Sequence, residues 1–269
     1  MKRWLLVIIG ISFMFFLSFA LSKRTCPITS SKKHKTPAIA IPVLSQQAML
    51  LLRKREDNAA FLIFGKILEQ SPKDINALWG KAEVFRRKRK YKESEEILQE
   101  ILKIDPLHAP SLISLAYIRY KDSQLQEAAR ILDNLLSNKL LDSENRAMAY
   151  LLLSAVNSSY SLKGGILTKM KTASKILYYL SQARDLAPEL PETHLGLGTF
   201  YLKSPAILGG NLNKAIRELE YCLILAPHFA TAHARLAQAY GRKGDIGRYE
   251  FHLEQAKTLD PQNEVLQEL

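Results

Sequence analysis

Three features of the sequence predict an all-α solenoid of about six helix pairs. A unit of about 34 residues recurs, each unit carries apolar residues at helical spacing, and a proline closes most units. The clearest unit is Ala230–Asn263. Leu236, Ala237 and Tyr240 share one helical face, and Gly241, Gly244 and Gly247 loosen the chain around Asp245. Leu253 and Ala256 mark a second inward face. Asp260-Pro261 then stops the helix, because proline cannot continue a helix interior. The polar Gln255, Lys257, Gln262 and Asn263 suit a terminal unit whose outer side meets water.

The same frame runs upstream. Unit 41–74 ends on Ser71-Pro72 and carries Ala48, Ala60 and Phe64. Unit 75–108 reaches Pro106 with Ala82, Phe85 and Leu98 turned inward. Unit 109–142 has Leu115-Ala116, Ala128 and Leu132 but no closing proline. In unit 143–190, Tyr160–Met170 reads as extra sequence between the helices. Its second helix is expected at Ala173–Leu186, where Ile176, Leu180 and Ala183 keep helical spacing. Unit 191–229 restores the pattern with Leu197-Gly198, Tyr201, Ala215, Leu219 and Cys222 before Pro227. There Lys203–Gly210 lengthens the turn, and Asn211 is the expected N-cap. With 230–263, these units make one repeat domain over 41–269.

On these residues, Ile41–Asn263 resembles the tetratricopeptide repeat proteins. The resemblance implies antiparallel helix pairs wound into a right-handed superhelix, with the first helices lining the concave side. His194 and His233 stand where the family often has Trp, and Arg119 replaces the aromatic of the third unit. The stretch SPAILGGNLNKAI, with the long repeat after it, is similar to exported tetratricopeptide proteins associated with TRAP solute transporters.

Ahead of the repeats, Trp4–Leu21 is an uncharged run behind Lys2-Arg3, long enough for a membrane-spanning helix. Residues 1–22 are therefore expected to be a signal-anchor, with cleavage at Ala20-Leu21-Ser22 as the alternative. Residues 23–40, rich in Ser, Thr, Lys and Pro, read as a flexible basic tether. Lys23, Arg24, Lys32, Lys33 and Lys35 beyond the run outnumber Lys2 and Arg3 before it, which favours a cytoplasmic repeat domain. The Met-Lys-Arg opening is the layout of an export signal, and the balance falls slightly on export. Lys23-Arg24-Thr25 before Cys26 departs from a lipoprotein signal.

The net charge of +12 has the same origin. No acidic residue precedes Glu56, and ten cations do, which leaves only +2 for the rest of the chain. That distribution argues against a polyanion-binding domain and a specific nucleic-acid partner. Cys26 and Cys222 suggest neither a disulfide framework nor a zinc site, and Cys222 is expected in the core.

No HExxH, P-loop, GxSxG or paired CxxC occurs, so no catalysis, cofactor or metal is expected. His194 and His233 occupy equivalent places in adjacent units. They are expected to pack between helices, and a facing pair is the alternative. By the resemblance, the groove would be lined by Trp79, Glu83, Arg86, Arg87, Ile113, Tyr117, Tyr120 and Lys121. Aromatics beside cations suit an extended peptide with acidic and apolar side chains. The competing expectation packs the tyrosines between units and leaves Arg86–Lys90 as a solvated helix end, neutralised by Glu93, Glu95 and Glu96. The family's Lys/Asn clamp for terminal carboxylates is not visible. The expected function is a non-catalytic, membrane-tethered scaffold for a protein or peptide. The alternatives are an exported accessory of a solute-uptake system and a weak binder of anionic lipid or nucleic acid.

Overall fold

The computed structural model describes residues 40–162 and 165–269. The apolar run and most of the basic tether lie outside the described residues. Within them, no helix is long and apolar enough to cross a membrane.

Among the described residues, twelve α-helices follow one another in six antiparallel pairs. They are α1 (Ile41–Arg53) with α2 (Asp57–Gln70), α3 (Ile75–Arg87) with α4 (Tyr91–Ile104), and α5 (Ala109–Lys121) with α6 (Leu125–Ser137). Then come α7 (Ser143–Leu162) with α8 (Ile166–Leu186), α9 (Pro191–Lys203) with α10 (Leu212–Leu225), and α11 (Ala230–Lys243) with α12 (Ile246–Leu259). Every first helix touches its own partner and the next first helix, so the odd-numbered helices form one continuous inner layer. Short 3-10 turns at Ala206–Leu208 and Glu264–Glu268 complete the chain.

Each boundary has a local cause. The side chains of Asp74, Asn211 and Asp245 accept the N–H of Ala77, Lys214 and Arg248, capping α3, α10 and α12. Ser71, Asp105, Ala187, Ala226 and Asp260 are each followed by proline and leave the helical region, as the pyrrolidine ring requires. In units one, two, three and six, the first helix ends on a left-handed residue: Arg55, Arg89, Ser123 and Gly244, with φ of 66, 60, 63 and 79°. Each is the turn of a Schellman motif. The N–H of the next residue reaches back to Leu51, Phe85, Arg119 and Tyr240 at 2.8–3.0 Å. Only glycine adopts this conformation without a steric cost of about 1–2 kcal/mol. Of the three glycines expected to loosen the last turn, Gly244 alone has positive φ; Gly241 and Gly247 lie inside helices.

The core is continuous along the array. Ala48, Ala82, Ala116, Gly198 and Ala237 occupy the same place on five of the six first helices, and α7 has Tyr150 there. The second helices bring Phe64, Leu98, Leu132 and Leu219, all fully buried. Gly80 lies against the Phe64 ring, which a Cβ would meet at 2.2 Å. Cys222 is buried in this core, and burial pushes its thiol pKa up.

Two expectations change. Tyr160–Met170 is not a loop: α7 runs to Leu162 and α8 starts at Ile166, so the extra sequence lengthens both helices, which pair closely. The end of unit six is not a bare polar face. Glu264–Glu268 folds back over α11 and α12, with Val265 buried against Ala234 and Ala256. Asn263 is itself buried and bonds Thr231.

Candidate functional site

The inner layer gathers the predicted groove residues, and they engage one another. Trp79 Nε1 donates to Ser114 Oγ at 3.2 Å, and that hydroxyl donates to Glu83 at 3.2 Å. Glu83 is buried between two guanidiniums. Arg86 grips it with Nε and Nη2, at 2.7 and 2.5 Å, and Arg87 Nε adds a contact at 2.9 Å. Arg87 also reaches Asp57 at 2.7 Å and the Leu52 carbonyl at 2.8 Å. Burial alone pushes the Glu83 carboxyl up, but Arg86 and Arg87 outweigh it and hold it at about 2. The Arg86 guanidinium lies 4.0 Å from the centre of the Tyr117 ring, and Tyr120 packs beside Tyr117 at 6.1 Å. Ile113 sits in the core with Leu132 and Leu153, off the exposed inner surface. Lys121 Nζ, at the end of α5, meets Glu264 at 2.5 Å.

The run Arg86–Lys90 is thus only partly a solvated helix end: Lys88 and Lys90 are exposed, whereas the three arginines are half-buried. Arg86 and Arg87 are turned inward, and Lys88 bonds Asn58 at 2.7 Å. Arg89 reaches across the array to Asp260 at 2.8 Å and to the Gln262 carbonyl at 3.0 Å. Glu95 neutralises Arg119 rather than the run.

Further pairs that periodicity does not mark join positions far apart in the chain. Arg55 pairs with Glu192 at the start of α9, and its guanidinium lies 3.7 Å from the centre of the Phe229 ring. Arg53 pairs with Glu144 at 2.5 Å. Glu268 takes Lys203 at 2.5 Å and Arg235 at 2.6 Å. Burial opposes ionisation of Glu268, yet hydrogen bonds from Arg235 and Lys203 bring its carboxyl to about 2. The one sequence signal for Arg55 and Arg89 is positional: both stand where the most regular unit has Gly244.

His194 and His233 do not face each other. The Nε2 of each bonds the carbonyl of the preceding unit's closing proline, Pro188 at 2.7 Å and Pro227 at 3.1 Å. Nδ1 of His194 meets Glu218 at 2.7 Å, and Nδ1 of His233 meets His252 at 3.0 Å. Among the described residues, no group of three His, Cys, Asp or Glu is placed to hold a metal ion. A shallow hollow of about 260 Å³ beside Tyr240 is lined by Asn213, Arg217, Glu220, Lys243 and Arg248. Tyr240 there donates its hydroxyl to Glu220 and accepts from Arg248.

The Tetratricopeptide repeat family profile matches residues 230–263. No protein of curated function matches the sequence. Among solved structures, a tetratricopeptide repeat protein from Parabacteroides merdae is 13% identical with a TM-score of 0.51, covering 88% of this chain and 85% of that one. The human IFIT1 dimer with m7Gppp-AAAA is 20% identical with a TM-score of 0.58; 86% of this chain covers 52% of that one. Pseudomonas aeruginosa pilF is 18% identical with a TM-score of 0.46, covering 85% of this chain and 95% of that one. At these identities the likeness is one of fold. Residues 230–263 thus match a tetratricopeptide repeat, and the described residues form a solenoid of six antiparallel helix pairs.

Proposed function

We propose that the chain is a non-catalytic, membrane-tethered scaffold that recognises a protein or peptide along the inner side of its repeat array. The observation that carries this reading is the way the chain treats its own inner face. The segment Asp260–Glu268 packs on α11 and α12 of the last unit and is held by side chains of units two, three, five and six. A surface that holds a short acidic segment through arginines and lysines has the composition of a recognition site for acidic side chains. The uncharged run Trp4–Leu21 supports the tether, and its Met-Lys-Arg opening supports display on the exported side.

A photo-crosslinking side chain at Tyr120, on the inner layer, should capture a protein in cells. The same probe at Leu62, exposed on the outer helix α2, should capture none. Capture from Leu62 alone, or from neither position, would sink the reading. Alkaline carbonate should leave the full chain in the membrane pellet and release a chain that starts at residue 40. Release of both would remove the tether.

A further inference from the structure

The segment Asp260–Glu268 presents carboxylates at four-residue intervals, Asp260, Glu264 and Glu268. Each meets cations from a different part of the array. Asp260 takes Arg89 of the α3–α4 turn, Glu264 takes Lys121 at the end of α5, and Glu268 takes Lys203 and Arg235 of α9 and α11. The apolar hold is small: Val265 is buried, Leu266 is half-buried, and Gln262, Glu264, Gln267 and Glu268 are exposed. Val265 and the buried Asn263 fix the segment to the last unit, and charge alone ties it to units two, three and five. Arg89 makes its contact from a left-handed backbone position, where glycine would fit at less cost.

We propose that Asp260–Glu268 is an internal ligand: it occupies a surface that recognises acidic peptides with carboxylates at four-residue intervals around an apolar residue, and such a partner displaces it. This rests on the inner face being the recognition surface. A tethered segment competes at an effective concentration of roughly millimolar. The closed chain should therefore bind such a peptide about 10–100-fold more weakly than a chain whose segment has been released.

The probe is a fluorescent synthetic peptide of residues 260–269, followed by anisotropy with the full chain. Glu264→Lys with Glu268→Lys should raise its affinity at least tenfold. Adding Lys121→Glu and Arg235→Glu should abolish that gain. Equal affinity before and after release, or binding that survives the reversal, overturns the proposal. So does dimerisation of the released chain in place of peptide binding, since the occupant would then be a second copy. The unmodified chain gives a reading that needs no variant. Excess peptide should speed hydrogen exchange at the Val265 and Leu266 amides, which bond Asn263, while α11 stays protected; unchanged exchange also overturns it. Captured protein at Tyr120 with no peptide effect would sink this inference alone, whereas loss of both would sink the scaffold reading as well.

Discussion

Units one to three keep their helices at 13 or 14 residues, whereas unit four stretches to 20 and 21. The fourth residue of the first helix differs in the same way. It is Leu44, Leu78 and Leu112 in the front half, and Arg146, His194 and His233 in the rear. The rear residues hydrogen-bond carbonyls of the unit before, Arg146 those of Leu136 and Asn138. One position is thus filled by packing in the front half and by polar capping in the rear. Charge divides along the same line. In the pairs that join the halves, Arg53, Arg55, Arg89 and Lys121 come from the front, and Glu144, Glu192, Asp260 and Glu264 from the rear. The contrast teaches that near-identical units become unlike halves through a few side chains, and that those side chains join the halves.

Substitutions can break or sharpen this contrast. The largest effect is expected at Glu83→Ala, which leaves the inward-facing Arg86 and Arg87 without their carboxylate. Breaking a buried pair from one side costs about 3–5 kcal/mol, and urea unfolding should show it; a loss below about 1 kcal/mol would place the network in water. Gly80→Ala should cost about 1–3 kcal/mol by overpacking Phe64. Gly65→Ala, with open space around it, should gain about 0.5–1 kcal/mol in the same assay. Ser123→Gly should gain about 1 kcal/mol, because the exposed Ser123 bears the left-handed turn with no cross-array partner. Arg89→Gly relieves the same backbone but loses Asp260 and Gln262, so its net gain should be smaller; equal gains would mean the Arg89 bridge contributes nothing.

A pH-dependent effect belongs to the rear half. Burial and the neighbouring His233 depress the His252 pKa to about 4, while the unfolded imidazole titrates near about 6.5. Between those values the unfolded chain binds more protons, so stability falls as pH drops from 6.5 towards 4. Glu220 and Arg248 lie near the pair and oppose each other in effect. Thermal melts of His252→Gln should show a flatter acid limb than the parent; an unchanged limb would assign it to other groups.

The helix starts at 41, 75, 109, 143, 191 and 230 were legible because periodicity, caps and prolines are local signals. Unit four departs from the reading at Tyr160–Met170, where α7 runs on to Leu162 and α8 starts at Ile166. The groove residues were assigned to one face but not to their partners. Glu83 meets Arg86 and Arg87 within a single helix turn, yet nothing in the pattern says that all three turn inward. Arg55, Glu192, Asp260 and Glu268 were missed altogether. Their pairs join residues 137 and 171 positions apart in the case of Arg55–Glu192 and Arg89–Asp260. Winding of the array brings them together, and periodicity within a unit carries no record of it.

The left-handed arginines have a mechanical consequence. In an open solenoid each unit touches only its neighbours, so the ends fray and unfolding spreads inward one unit at a time. Arg55 hooks unit one to unit five, and Arg89 hooks unit two to unit six. The array then behaves as a spring with its coils latched, in which losing an end unit also pulls on the far side. Melting should accordingly be sharper than in an unlatched array of six, and cutting either latch should blunt it.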